Sequence, residues 1–310
     1  YSAVRHASDF GVVTRAPDLD WQAAPERKGK TVEGLVRGLE GLLKKRSVTI
    51  VNGHGRLDGP NAVVVSADEG EQRGEGRHVI FATGSHARSI PGYEVDGERI
   101  VTSDHALDWP SRPGRVAIIG AGVIGCEFAS MLADFGSEVH VFEVMDQVLP
   151  GTDPTIARQL ERQLNRRGVR FHLGTSVEPP KIGASTVVVP FGGESVEVDV
   201  VLVAVGRGPN TEGVGLETTK AELDRGYVVV DRSTMQTADP SLYAVGDVVA
   251  GTPQLAHVGF AEGIAAVTHI ATGRPAPVDY RAIPRITYTH PEVAEVGFNE
   301  QQAAKMGMAM

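Results

Sequence analysis

The run Val116-Ala-Ile-Ile-Gly120-Ala-Gly122-Val-Ile-Gly125-Cys-Glu127 constrains the fold more than any other part of this chain. Four apolar residues with strand character lead straight into G-x-G-x-x-G, and the glycines open onto a helix-forming stretch. The first glycine permits a tight turn, the second lets backbone N–H groups approach a pyrophosphate, and the third lets helix and strand pack closely. Around this turn the pattern predicts a strand over Val116–Ile119, a helix over Val123–Phe135 and a strand over Glu138–Glu143. A helix over Pro154–Arg167 and a strand over Val169–Leu173 follow. Strand and helix alternating through short loops make a βαβαβ unit, hence an α/β fold with a parallel sheet. Glycine is 37 of 310 residues, about 12 %, against a usual ~7 %, which suits tight turns and close backbone approach.

Before this unit, Asp20–Ser47 reads as one helix. Val32, Leu35, Val36, Leu39, Leu42 and Leu43 form one apolar stripe, while Gly34, Gly38 and Gly41 cost about 1 kcal/mol each, so packing must hold it. Short β runs follow at Val48–Val51, Ala62–Ser66 and His78–Ala82. After the unit come β runs at Val187–Pro190, Ser195–Val198, Val200–Val205 and Leu242–Val245. A helix is expected to start within Gly263–Ala271, and Gln254–His257 read as a further helix opening. At roughly 100–200 residues per domain, the length predicts two domains and a piece of a third.

Thirty basic against 39 acidic side chains leave a formal charge of −9, and no basic run exceeds Lys44-Lys45-Arg46. That pattern excludes an electrostatic footprint for nucleic acid or anionic membrane. The longest uncharged apolar stretch, Val116–Cys126, is 11 residues, too short for the ~20 of a membrane span. Cys126 is the one cysteine, so these residues form no internal disulfide and no cysteine zinc cluster. The scattered histidines show no His-Glu-x-x-His spacing, and no metal site is expected. One cysteine is compatible with a reducing compartment, and a cytoplasmic location is expected. Beginning at Tyr1 and ending at Met310, it reads as cut at both ends.

Glu143 ends the second strand of the unit, 23 residues after Gly120, where an acid can accept from the adenosine ribose hydroxyls of a dinucleotide. A 2′-phosphate would want Arg or Lys just beyond, and the residues there are Val144, Met145, Asp146 and Gln147. The pattern therefore favours NAD(H) over NADP(H). The plainer reading is a glycine-rich turn beside a surface glutamate.

Four segments in this order resemble the flavin-dependent pyridine nucleotide–disulfide oxidoreductases, and within them the dihydrolipoamide-oxidising branch. They are Gly120–Glu127 with Glu143, Val203-Ala-Val-Gly206-Arg-Gly-Pro-Asn210, Leu242-Tyr-Ala-Val-Gly246-Asp247 and Tyr288-Thr-His-Pro-Glu-Val-Ala-Glu-Val-Gly297. Val51-Asn-Gly-His-Gly55, Ala82-Thr-Gly-Ser85, Met145-Asp-Gln-Val-Leu-Pro150 and Gln254-Leu-Ala-His257 support them. The resemblance implies two Rossmann-like domains and the start of an α+β interface domain. Residues 1–111 and 236–282 would be part of an FAD domain, 112–235 an NAD domain, and 283–310 the beginning of the interface domain.

The activity implied is oxidation of dihydrolipoamide by NAD+ through FAD and a redox disulfide. The implied partners are a lipoyl domain of a 2-oxo acid dehydrogenase complex or glycine cleavage system, and a second copy in a homodimer. The family's first glycine turn, its C-x-x-x-x-C and its catalytic His–Glu pair have no counterpart in these residues, so the resemblance implies an inactive fragment. Alternatives are another NAD(P)H-dependent flavin reductase of disulfides, mercuric ion or quinones, or a non-catalytic nucleotide-binding module.

By resemblance, Gly120, Gly122, Val123, Ile124, Gly125 and Glu143 serve the NAD turn, Glu127 is the helix acid that the family pairs with a lysine close to the flavin, and Val177 and Gly206 flank the nicotinamide dinucleotide. Asp247 would bind the flavin's ribityl chain, with Gly55, Thr83, Gly84 and Ser85 on its adenine and phosphate side. Gln254, Leu255, Ala256 and His257 would face the ring. Locally, Asp247 also reads as a cap or turn residue, Thr83–Ser85 as a strand-ending turn, and His257 as an ordinary half-buried histidine. Without the family's lysine, Glu127 is expected to lack a partner. Cys126 reads as a small core residue, and His290 as structural.

Overall fold

The computed structural model describes residues 2–15 and 17–308, so the expected mid-element ending at Met310 lies outside the described residues. In chain order the elements begin with α1 (Ser2–Arg5), α2 (Ala23–Lys45), β1 (His54–Leu57), β2 (Ala62–Ala67), β3 (Gly70–Glu75), β4 (Val79–Phe81), β5 (Ser85–Ala87), β6 (Ile100–Val101) and α3 (Ser103–Ala106). The nucleotide-type unit follows as β7 (Arg115–Ile119), α4 (Val123–Asp134), β8 (Glu138–Phe142), α5 (Pro154–Arg166) and β9 (Val169–His172). Then come β10 (Lys181–Ile182), β11 (Val187–Phe191), β12 (Glu194–Val198), β13 (Val200–Val203), β14 (Arg207–Pro209), β15 (Leu223–Asp224), β16 (Tyr227–Val228) and β17 (Leu242–Ala244). The chain closes with α6 (Ala256–Thr272), β18 (Arg285–Thr287), β19 (Val293–Glu295) and α7 (Glu300–Lys305). Two compact units emerge: Tyr1–Leu39 with Ala87–Gly206 and Pro284–Met310, and Glu40–His86 with Arg207–Ile283.

The first unit is built on a parallel sheet of order β6-β13-β7-β8-β9. Its central strands β7 (Arg-Val-Ala-Ile-Ile) and β13 (Val-Val-Leu-Val) are nearly all apolar because both faces are covered. Side chains alternate along β7: Val116 and Ile118 join one core with Leu132 of α4 and Leu160 and Leu164 of α5. Ala117 and Ile119 join the other, against Val187, Val189 and Val198 of the antiparallel sheet β10-β11-β12. Helix α5 starts where Asp153 accepts from the amides of Thr155 (2.8 Å) and Ile156 (3.4 Å), with Pro154 in its first turn.

The second unit carries the antiparallel sheet β1-β2-β3 and the parallel pair β17-β4. Helix α6 buries Val258, Glu262, Ala265 and Ala266. Its outer side chains Phe260, Ile264 and Val267 are exposed, Phe260 at 74 %.

Several expectations are corrected. Val48–Val51 is not a strand; its apolar residues are about half exposed, and the strand begins at His54. Strand β3, unforeseen, pairs with β2 from Ala62↔Glu75 to Ala67↔Gly70. The helix placed within Gly263–Ala271 starts at Ala256. Helix α2 forms, but none of its residues is buried and Leu35 is 70 % exposed, so the expected packing of its stripe is not found among the described residues. Apart from these corrections, the compact units divide at His86/Ala87 and Gly206/Arg207, a different cut from the functional-domain bounds 111/112 and 235/236, which they do not decide. Pairing explains the difference: β6 belongs to the parallel sheet through Val201↔Ile100, and Tyr227 donates to the Arg207 carbonyl (3.0 Å).

Candidate functional site

In the first unit the sheet reverses its winding between β7 and β13, where Val203 lies beside Ile119. Ligands of such sheets sit outside the carboxyl ends at this switch point. Gly120 follows β7 there, and Gly206 ends the loop after β13. Gly120 has φ +104, donates to the Phe142 carbonyl (2.8 Å), and a Cβ on it would lie 2.4 Å from the Ala204 oxygen. A Cβ on Gly125 would lie 1.9 Å from the Gly120 oxygen. These two glycines are required by the protein's own backbone. Gly122 differs: it is the N-cap of α4, no side chain caps it, and the space a Cβ would enter is open. A pyrophosphate fits this opening at a helix N-terminus. Gly206, with φ +108, also faces open space.

Glu143 stands beside the turn, 9 % exposed. Its two carboxylate oxygens accept from the backbone amides of Ala121 (2.8 Å) and Met145 (2.9 Å). The acid is thus clamped by the glycine turn and the next loop, with exposed Val144 and Met145 following it. Val123 is exposed, Ile124 packs on the α4 core, and Val177 bridges to Phe191.

Glu127 corrects its expectation. On α4 it accepts from the Tyr288 amide (2.8 Å), so it has a partner. One turn further, the Ser130 hydroxyl accepts from the His290 amide (2.9 Å), and Arg167 donates to the His290 carbonyl and pairs with Asp134 (2.6 Å). His290 is held by its backbone. Cys126 is fully buried with its thiol directed at the Ala121 oxygen (3.3 Å). Burial pushes that thiol up to about 12, far from a nucleophile.

The second unit again places glycine turns after parallel strands: Thr83-Gly84-Ser85 after β4 and Gly246-Asp247 after β17. The Ser85 hydroxyl donates to Asp247 (2.6 Å) and accepts from the Arg207 guanidinium (2.7 Å), which also donates to the Ser85 carbonyl (2.7 Å). Thr83 donates to the Asn210 carbonyl (2.6 Å), and the Asn210 side chain donates to the Thr83 carbonyl (2.9 Å). Gln254 donates to the Asp247 carbonyl (3.3 Å); Leu255 caps α6 without a side-chain bond, and Ala256 and His257 form its exposed first turn. Gly55 lies on β1 opposite Val65. A carboxylate beside an unblocked helix N-terminus and a positive-φ glycine turn (Gly84, φ +71) suits a polyol and a phosphate.

The structure therefore sorts the expected residues. Gly120–Gly125, Glu143 and Gly206 gather in one unit, and Thr83, Gly84, Ser85, Asp247 and Gln254 in the other.

Sequence reasoning missed Glu262. It is fully buried on α6, accepts from the Gly246 amide (2.6 Å) and the Tyr280 hydroxyl (2.9 Å), and bonds the Thr252 side chain. Burial pushes its carboxyl above the ordinary range and the nearby Asp247 charge adds to this, while the three hydrogen bonds oppose it. The signal was available: Glu262 follows Val258 by four and precedes Ala266 by four, an acid in the apolar stripe.

The sequence profile of the family described as Pyridine nucleotide-disulphide oxidoreductase matches residues 2–263. The dihydrolipoyl dehydrogenase of Bacillus subtilis is 38 % identical over 322 residues, covering 99 % of this chain and 68 % of that protein. The mitochondrial dihydrolipoyl dehydrogenase 1 of Arabidopsis thaliana is 39 % identical over 317 residues, covering 100 % of this chain and 62 % of its own. Among solved structures, LpdA from Mycobacterium tuberculosis superposes with a TM-score of 0.88 at 28 % identity, covering 99 % of this chain and 68 % of that one.

Proposed function

Because this chain belongs to the pyridine nucleotide-disulphide oxidoreductase family, we propose that it holds the NAD and FAD of a flavoprotein oxidising dihydrolipoamide. The parallel-sheet unit takes NAD: Gly120–Gly125 receive the pyrophosphate, Glu143 the adenosine ribose, and Val177 and Gly206 flank the nicotinamide half. The second unit takes FAD, with Asp247 on the ribityl hydroxyls, Gly55, Thr83, Gly84 and Ser85 on the adenine and phosphate side, and Gln254–His257 at the ring. We assign NAD to the unit that contains Ala87–Gly206, which leaves residues 207–235 in the flavin-side unit, and we take residues 283–310 as the start of an interface domain.

Bound FAD supplies two-electron transfer between a thiol pair and nicotinamide. Thiol–disulfide exchange needs a cysteine pair, which these 310 residues do not contain, and buried Cys126 cannot substitute for it. The proposed setting is a cytoplasmic homodimer serving a lipoyl domain of a 2-oxo acid dehydrogenase complex or glycine cleavage system. No helix among the described residues is long and apolar enough to cross a membrane.

The observation carrying this reading is the clamped Glu143 carboxylate beside the open space at Gly122. A 2′-phosphate there would meet a fixed anion, with no Arg or Lys among Val144, Met145, Asp146 and Gln147 that follow it. Titration should show NADH binding at least about tenfold tighter than NADPH, and Glu143→Gln should lose much of that preference. Equal or tighter NADPH binding by the unmodified protein would overturn the assignment.

A further inference from the structure

Glu262 is an expensive residue for its position. A carboxylate with no solvent exposure in the apolar face of α6 gives up hydration that a methionine of similar volume would not need. What the carboxylate provides, and a methionine cannot, is an acceptor for the Gly246 amide (2.6 Å). Gly246 needs one, because its φ of +79 turns it out of the β17 ladder and a buried N–H must be paired. Gly259 of α6 faces the turn directly, since a Cβ there would touch the Gly246 Cα at 3.4 Å. The other Glu262 oxygen is tied to Tyr280, so the carboxylate has little freedom to swing away. Asp247, next along the chain, carries its side chain to Ser85 and its carbonyl to Gln254.

We propose that Glu262 is a positioning residue of the flavin site: it fastens the Gly246 turn from beneath, so that Asp247 is already aimed when a flavin polyol arrives. The inference rests on the proposed placement of FAD. Glu262 touches no cofactor in this scheme; it acts through Gly246 and Asp247. Bonds from Gly246, Tyr280 and the Thr252 side chain to one buried carboxylate make the turn stiff, and a preformed turn spares the ligand the cost of ordering it.

The test compares Glu262→Gln, which keeps an acceptor for Gly246, with Glu262→Leu, which removes it. Hydrogen exchange at the Gly246 amide is measured on the 310-residue chain without flavin, and FAD affinity by quenching of flavin fluorescence. The leucine variant should exchange at Gly246 and release FAD at least about tenfold more readily, with the glutamine variant within about threefold of the unmodified protein on both. Unchanged Gly246 exchange in a folded leucine variant overturns the proposal, as does unchanged FAD affinity. If the leucine variant does not fold, Tyr280→Phe decides, because it removes one of the bonds that hold the carboxylate while leaving the Gly246 bond. It should raise Gly246 exchange by about threefold, and no change would sink the idea. An unmodified chain that takes up no FAD refutes the flavin placement, while the exchange measurement still reports whether Glu262 holds the turn.

Discussion

Glu143 and Asp247 both follow parallel strands, one in each compact unit, yet they are held by different kinds of partner. Glu143 is gripped by the backbone amides of Ala121 and Met145. Asp247 is held by the hydroxyl of Ser85, itself tied to the Arg207 guanidinium, over a turn fastened by the carboxylate of Glu262. A backbone grip tolerates side-chain change but fails if Gly120 or Gly125 gains a Cβ. A side-chain relay fails one substitution at a time. The surroundings differ likewise: the five-stranded parallel sheet has a core on each face, while α6 turns Phe260, Ile264 and Val267 outward.

The strongest way to break the contrast is Gly125→Ala, since its Cβ would lie 1.9 Å from a backbone oxygen that has nowhere to move. We expect a loss of roughly 3 kcal/mol or more in stability of the first unit, with NADH binding lost, read by denaturant unfolding and titration. Gly122→Ala, facing open space, should leave stability nearly intact and weaken only NADH binding.

Next in size, Leu132→Ala in the fully packed α4 core should cost about 2–5 kcal/mol. Phe260→Ser on the outer face of α6 should stay within about 0.5 kcal/mol in the same unfolding assay. A large cost at Phe260 would mean that this face is covered in solution.

Ser85→Ala should cost about 1 kcal/mol, because it removes the hydroxyl joining Asp247 to Arg207. Amide exchange in the Thr83–Ser85 turn should report the loss, with the Gly120 turn unaffected.

The smallest effect concerns pH. Burial opposes ionisation of Asp199, but the amide and guanidinium of Arg115 and the amide of Gly114 outweigh it and hold the carboxyl below the ordinary range. A depressed carboxyl contributes stability that is whole above the unfolded value of ~3.9 and disappears as pH falls through the lower folded value. Unfolding followed from pH 6 down to about 3 should lose roughly 0.5 kcal/mol less in Asp199→Asn than in the unmodified protein, given solvent screening of this half-exposed group.

What could be read in advance divides along the same line. The Gly120–Glu143 turn was legible because its requirements are local: a strand, three glycines and an acid at fixed spacing. Strand β3 was not, because Gly70-Glu-Gln-Arg-Gly-Glu75 has no apolar alternation and joins β2 through its backbone. Val48–Val51 misled in the opposite way, with strong strand propensity and no partner among the described residues to realise it. Gly259 and Gly263 lowered the apparent propensity in the middle of α6, so that one helix, Ala256–Thr272, read as two openings, at Gln254–His257 and within Gly263–Ala271. The pairing of Thr83 with Asn210, 127 residues apart, has no local signature at all.

Cys126 has a practical consequence. A thiol with no solvent exposure, raised to about 12, will not react with maleimides or iodoacetamide while the fold is intact. These 310 residues are therefore a ready background for site-specific labelling without prior cysteine removal. A cysteine placed at exposed Phe260 or Leu35 would take a fluorophore or spin label alone, and any modification of Cys126 would report unfolding of the Gly120 turn it sits beneath.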